Sequence, residues 1–174
     1  MMNPPSLRFA SVIAGLCLCL TAAVYVARAQ SPGTGQKEAA VPLRATGTFE
    51  VKMTPQKPED AVADTGISRL LSDKQFHGGL EATSKGQMLG FGDPAKGSAG
   101  YVAIERVTGS LDGHSGSFAL QHSGTMDPGG VHLSVTVVPG SGTGQLAGIA
   151  GSMTILIESG KHSYSFDYTL PAAR

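Results

Sequence analysis

Near its end the chain places Tyr164, Phe166 and Tyr168 at every second position, with small or acidic residues between them. A two-residue apolar period marks an extended strand with one face turned from water. The same alternation carries Phe49 and Val51, then Phe118 and Leu120, then Val131, Leu133 and Val135, and then Met153 and Ile155. No stretch from Ala45 to Leu170 repeats apolar residues at i, i+3, i+4 and i+7 for the length of a core helix. The pattern predicts strands over residues 45–54, 66–76, 79–90, 99–108, 114–124, 130–138, 150–158 and 161–170.

Turn formers separate these segments: Pro55 and Pro58, His77-Gly78, Gly92 with Pro94, Asp112-Gly113, Asp127-Pro128-Gly129 and Pro139-Gly140. Short links make consecutive strands antiparallel neighbours. A closed ring removes the two exposed edges that an open sheet would keep. The predicted fold is therefore all-β, a closed eight-stranded antiparallel up-and-down barrel in preference to a sandwich.

Centring the fourth and fifth strands on Leu111 sets Glu105 opposite Ser117 and puts Val102, Ile104 and Arg106 on the face of Phe118, Leu120 and His122. In the next hairpin, pairing His122 with His132 would place Phe118 and Leu120 beside polar neighbours. A slip of one residue aligns them with Val135 and Leu133, so the histidine pair is rejected. The expected inner face holds these apolar residues with four polar groups: Arg106, His122 and the hydroxyls of Tyr164 and Tyr168. Arg106 and His122 then lie about 20 Å apart, at different mouths. Glu81, Glu105 and Asp167 are expected outside.

Composition narrows the functional classes. Thirteen basic and thirteen acidic side chains give no net charge, which excludes a dedicated nucleic-acid binder. Glycine is abundant at 24 residues, as many tight turns require. The only cysteines, Cys17 and Cys19, lie in an apolar run from Phe9 to Val26 that follows Arg8 and precedes Ala27-Arg28-Ala29. That order is expected of a signal peptide over residues 1–29, cleaved after Ala29, with an uncleaved anchor as the alternative because the run is long. Residues 30–44 read as a flexible leader and 45–174 as one barrel domain in the periplasm or outside the cell, touching membrane only through the signal segment. A homo-oligomer is compatible with this reading.

Catalytic and metal signatures are sparse. There is no nucleophile elbow, zinc-protease helix, phosphate loop or calcium loop, and the five histidines lack ligand spacing, so neither metal nor cofactor is expected. Gly142 to Ala147 satisfies the dinucleotide pattern on paper, but Gly148 and Gly151 forbid the helix that must follow.

Residues 101–125, with the block Gly140-Ser141-Gly142-Thr143-Gly144-Gln145-Leu146-Ala147-Gly148, resemble a bacterial family, domain of unknown function 3224. The resemblance spans roughly Ala45 to Leu170 and implies an eight-stranded barrel of the allene oxide cyclase-like type. The glycine block also resembles a turn in plant dirigent proteins and allene oxide cyclases, which steer cyclisation or coupling of apolar substrates. Fold analogy does not fix function, and no catalytic residue carries over. The expectation is a binding module for a small apolar or amphipathic molecule, with His122 and Tyr164 at one mouth and Arg106 and Tyr168 at the other. The alternatives are an isomerase or cyclase using Tyr101 and Glu105 as acid/base groups if that face is internal, and an interaction barrel without ligand.

Overall fold

The computed structural model describes residues 41–57 and 59–172. The expected signal segment, and the leader up to residue 40, lie outside the described residues. The chain runs β1 (Leu43–Gln56), a 3-10 turn (Asp60–Thr65), β2 (Ser68–Gly78), β3 (Leu80–Asp93), a second 3-10 turn (Pro94–Lys96), β4 (Ser98–Leu111), β5 (His114–Asp127), β6 (Gly130–Val137), β7 (Thr143–Gly144), β8 (Ala150–Glu158) and β9 (Lys161–Thr169). β1 starts two residues inside the expected leader, where Arg44 pairs with Asp167 of β9.

Eight long strands close in the order β1-β2-β3-β4-β5-β6-β8-β9 and back to β1, every pair antiparallel. The closed barrel read from the alternation is therefore present. The β6–β8 seam is the narrowest, with one pairing at Thr136 and Ser152. β6 leaves β5 after Val137 opposite Leu120, and two-residue β7 takes its place beside Gly116 and Ser117.

Three hairpins turn on two residues each, and in two of them both turn residues have positive φ. Asp112 and Gly113 have φ of 46° and 84°, and Ser159 and Gly160 have 50° and 77°. Positive φ at both central residues defines the type I′ turn, whose twist matches that of the strands. The first turn fixes Leu111 opposite His114, so Glu105 faces Leu120 rather than the expected Ser117. The displacement is odd and reverses the whole strand. Glu105 and Tyr101 therefore point inward, while Val102, Ile104 and Arg106 point out, opposite to the expectation. In the next hairpin Leu120 faces Val137 rather than Leu133 and His122 faces Val135. That displacement is even, and the β5 and β6 faces stand as read.

The two ends of the barrel differ. At the end carrying the Asp112-Gly113 turn, Leu80, Leu111, Phe118, Phe166 and Tyr168 are buried, and Leu146 and Ile149 plug the opening from the loop between β6 and β8. That loop contains the glycine block, so its tight turns let a hydrophobic lid fold over the ring. The opposite end, between the 3-10 turns and the β5–β6 turn, remains open.

Candidate functional site

Midway along the barrel four strands bring together the side chains that local periodicity separated. Glu105 of β4 is 2% exposed. Its Oε1 accepts from Lys74 Nζ of β2 at 2.8 Å and lies 2.9 Å from His122 Nε2 of β5. Its Oε2 accepts from the Ser84 hydroxyl of β3 at 2.7 Å. An ionised carboxylate can only accept, so His122 carries its proton on Nε2. Lys74 also sits 5.1 Å from the ring centre of Phe49 and 5.8 Å from that of Phe76, where the π-faces favour a cation.

Burial by itself would raise the Glu105 carboxyl. The His122 hydrogen bond and the Lys74 ammonium overcome it and hold the group at about 2. Glu105 is thus a fixed anion that orients two neighbours rather than a proton donor. Tyr101 faces the same space. Burial, and then the Glu105 charge, push its phenol upward, so it stays a neutral O–H.

These residues floor a cavity of about 290 Å³ walled by Phe49, Val51, Met53 and Ile155, with His162 at its side. A second chamber of about 430 Å³ leads from it to the open end past Phe91, Met126 and Val131. Met88, Tyr101, Leu133 and Ile157 border both. The Tyr101 ring lies over Gly124, where an added Cβ would stand 2.3 Å from a ring carbon. Gly124→Val should therefore displace that ring and destabilise the fold by about 1–3 kcal/mol, the usual cost of overpacking. A urea titration measures it, and an unchanged midpoint would show that the ring does not depend on the glycine.

The expected site residues divide. His122 is inward and borders the inner chamber. Tyr164 is inward but committed at the closed end, where its hydroxyl accepts from the Leu80 amide at 2.8 Å and donates to the His77 carbonyl at 3.2 Å. Burial raises its phenol most, and the Leu80 bond works against that. Tyr168, in the same half, donates to Asp112 Oδ2 at 2.7 Å; burial first, then Asp112, raises it strongly. The two tyrosines therefore do not flank opposite mouths. Arg106 is outside, bonded to Ser117 Oγ at 2.6 Å, which in turn meets Thr143 of β7. Its interior role is corrected by the β4 register. Lys74 was missed because it lies 31 residues from Glu105, on a strand with no apolar alternation around it to declare a face.

Outside the wall, Ile67, Leu89, Val102 and Ile104 line a groove of about 790 Å³ that also holds Arg69. Among the described residues no group of three His, Cys, Asp or Glu side chains is arranged to hold a metal ion.

A comparison with curated proteins finds no match. Among solved structures, a protein of unknown function from the DUF3224 family of Shewanella oneidensis MR-1 is similar, at 46% identity and a TM-score of 0.67, over 75% of this chain and 98% of that one. The family described as "Protein of unknown function (DUF3224)" matches residues 45–168, the ring of strands to within two residues at its start and one at its end. This chain belongs to the DUF3224 family.

Proposed function

We propose that the protein binds a small apolar or amphipathic molecule inside the barrel, acting in the periplasm or outside the cell. One observation carries the reading: two joined chambers with apolar walls, open at one end and sealed at the other, converge on a few polar groups. Ligand sites have that make-up and volumes of roughly 300–1,000 Å³.

N-phenyl-1-naphthylamine, a neutral dye that brightens in apolar surroundings, tests it. The full-length chain is expected to bind the dye saturably. Leu133→Trp, which fills the junction of the chambers, should weaken binding at least about tenfold with a similar melting temperature, about 1.4 kcal/mol of contact. Non-saturable dye fluorescence, or equal binding by the variant, would remove the reading.

The inward placement of Tyr101 and Glu105 favours a second reading, an isomerase or cyclase acting on the bound molecule. Since Glu105 is held ionised, the group able to move a proton there is His122, oriented through Nε2.

A further inference from the structure

The inner chamber is unevenly supplied with donors and acceptors. Its one carboxylate, Glu105, has both oxygens engaged: Lys74 and His122 occupy Oε1 and Ser84 occupies Oε2. Lys74 has three N–H donors, and only the one to Glu105 has a hydrogen-bond partner among the described residues. Tyr101 borders both chambers, and its hydroxyl makes no hydrogen bond among the described residues. His162 packs its ring 4.9 Å from that of Phe49 and presents further imidazole nitrogen.

In charge, one anion faces one ammonium and two imidazoles. The floor is therefore rich in donors and without a free carboxylate oxygen. A cationic head would meet the Lys74 ammonium with its only counter-charge already engaged. A hydroxyl head gains hydrogen bonds without charge. An anionic head gains charge-assisted bonds, about twice as strong as neutral ones and strengthened further by low-dielectric walls. Between this floor and the open end the lining is mostly apolar, with Ser68 and Thr125 the exceptions beside Tyr101, so the remainder of the ligand must be largely hydrocarbon-like.

Resting on the cavity reading above, we infer that the ligand is an apolar organic acid bound head-inward, its carboxylate against Lys74 and the Tyr101 hydroxyl and its apolar body in the outer chamber. Glu105 serves to hold Lys74 and His122 in place for it.

Displacement of bound N-phenyl-1-naphthylamine from the full-length chain by decanoate, decanol and decylamine separates the possibilities. Decanoate should compete at a concentration about tenfold or more below decanol, the ratio expected of one hydrogen bond to a charged group, with decylamine weakest. Lys74→Met should erase the advantage of the acid while weakening decanol only a few-fold, and Tyr101→Phe should reduce that advantage a few-fold. If Lys74→Met fails to give the wild-type circular dichroism, Lys74→Met/Glu105→Gln, which removes both charges together, replaces it. Equal competition by acid and alcohol, or a preference that survives the loss of Lys74, overturns the head-group assignment while dye binding leaves the cavity reading standing. Failure of the dye and of all three competitors to bind overturns the cavity reading and the inference with it.

Discussion

Glu105→Gln is expected to lower the unfolding free energy by about 3–5 kcal/mol, the range seen when one member of a buried ion pair is removed. The substitution keeps the shape of the side chain but leaves Lys74, whose side chain is 9% exposed, without a counter-charge at 2.8 Å. The loss is dominated by the stranded ammonium rather than by the worth of the pair itself. Lys74→Met/Glu105→Gln should accordingly recover much of it. Urea unfolding of the two variants beside the wild type gives the answer, and a Glu105→Gln cost below 1 kcal/mol would mean that water reaches the cluster freely.

The same carboxylate sets an acid limb. Its folded value of about 2 lies below its ordinary 4.5, so the folded state favours the ionised form. A depressed carboxyl contributes stability that is fully present above the unfolded value and is lost as pH falls through the folded one. The window runs from roughly pH 5 down to 2, and the contribution amounts to about 3 kcal/mol. Wild type and Glu105→Gln should thus converge in stability as pH falls across that window. Parallel curves would place the acid sensitivity elsewhere.

How much of this was legible in the sequence depends on the range of the interaction that decides each feature. Strand positions follow from neighbours two residues apart and from turn formers, so eight segments could be placed from local pattern alone. The face of β4 could not. Tyr101-Val102-Ala103-Ile104-Glu105 carries its large aliphatic residues on one parity and its carboxylate on the other, which locally reads as Glu105 outside. The carboxylate goes inward because Lys74, Ser84 and His122 await it, and the nearest of those is 17 residues away. Val102 and Ile104, each 55% exposed, are left for the exterior groove. The Asp112-Gly113 turn did hold the register: a two-residue type I′ loop permits only Leu111 opposite His114, and centring the hairpin on Leu111 cost the parity. The lid was hidden for another reason. Leu146 and Ile149 sit among glycines with no period, so nothing nearby marks them as buried.

The polar floor is affordable only because the far half of the barrel is packed solid, and Phe166 is the residue on which that packing should depend most. It is 0% exposed, lies opposite Ala45 on one side and Met153 on the other, and stacks between Phe118 and Tyr168 with ring centres 5.6 and 5.4 Å away. Phe166→Ala removes the centre of this stack and opens a void that the two flanking strands, tied on both edges, cannot close. The expected cost is about 3–5 kcal/mol, or a melting temperature lower by roughly 10–20 °C. Phe91, at the open rim and 62% exposed, is the control: Phe91→Ala should stay within about 0.5 kcal/mol of wild type. Thermal unfolding followed by far-ultraviolet circular dichroism measures both. Similar losses at the two phenylalanines would mean that stability is spread evenly along the barrel. Unequal losses place it in the sealed end, which leaves the open chambers free to vary with what they bind.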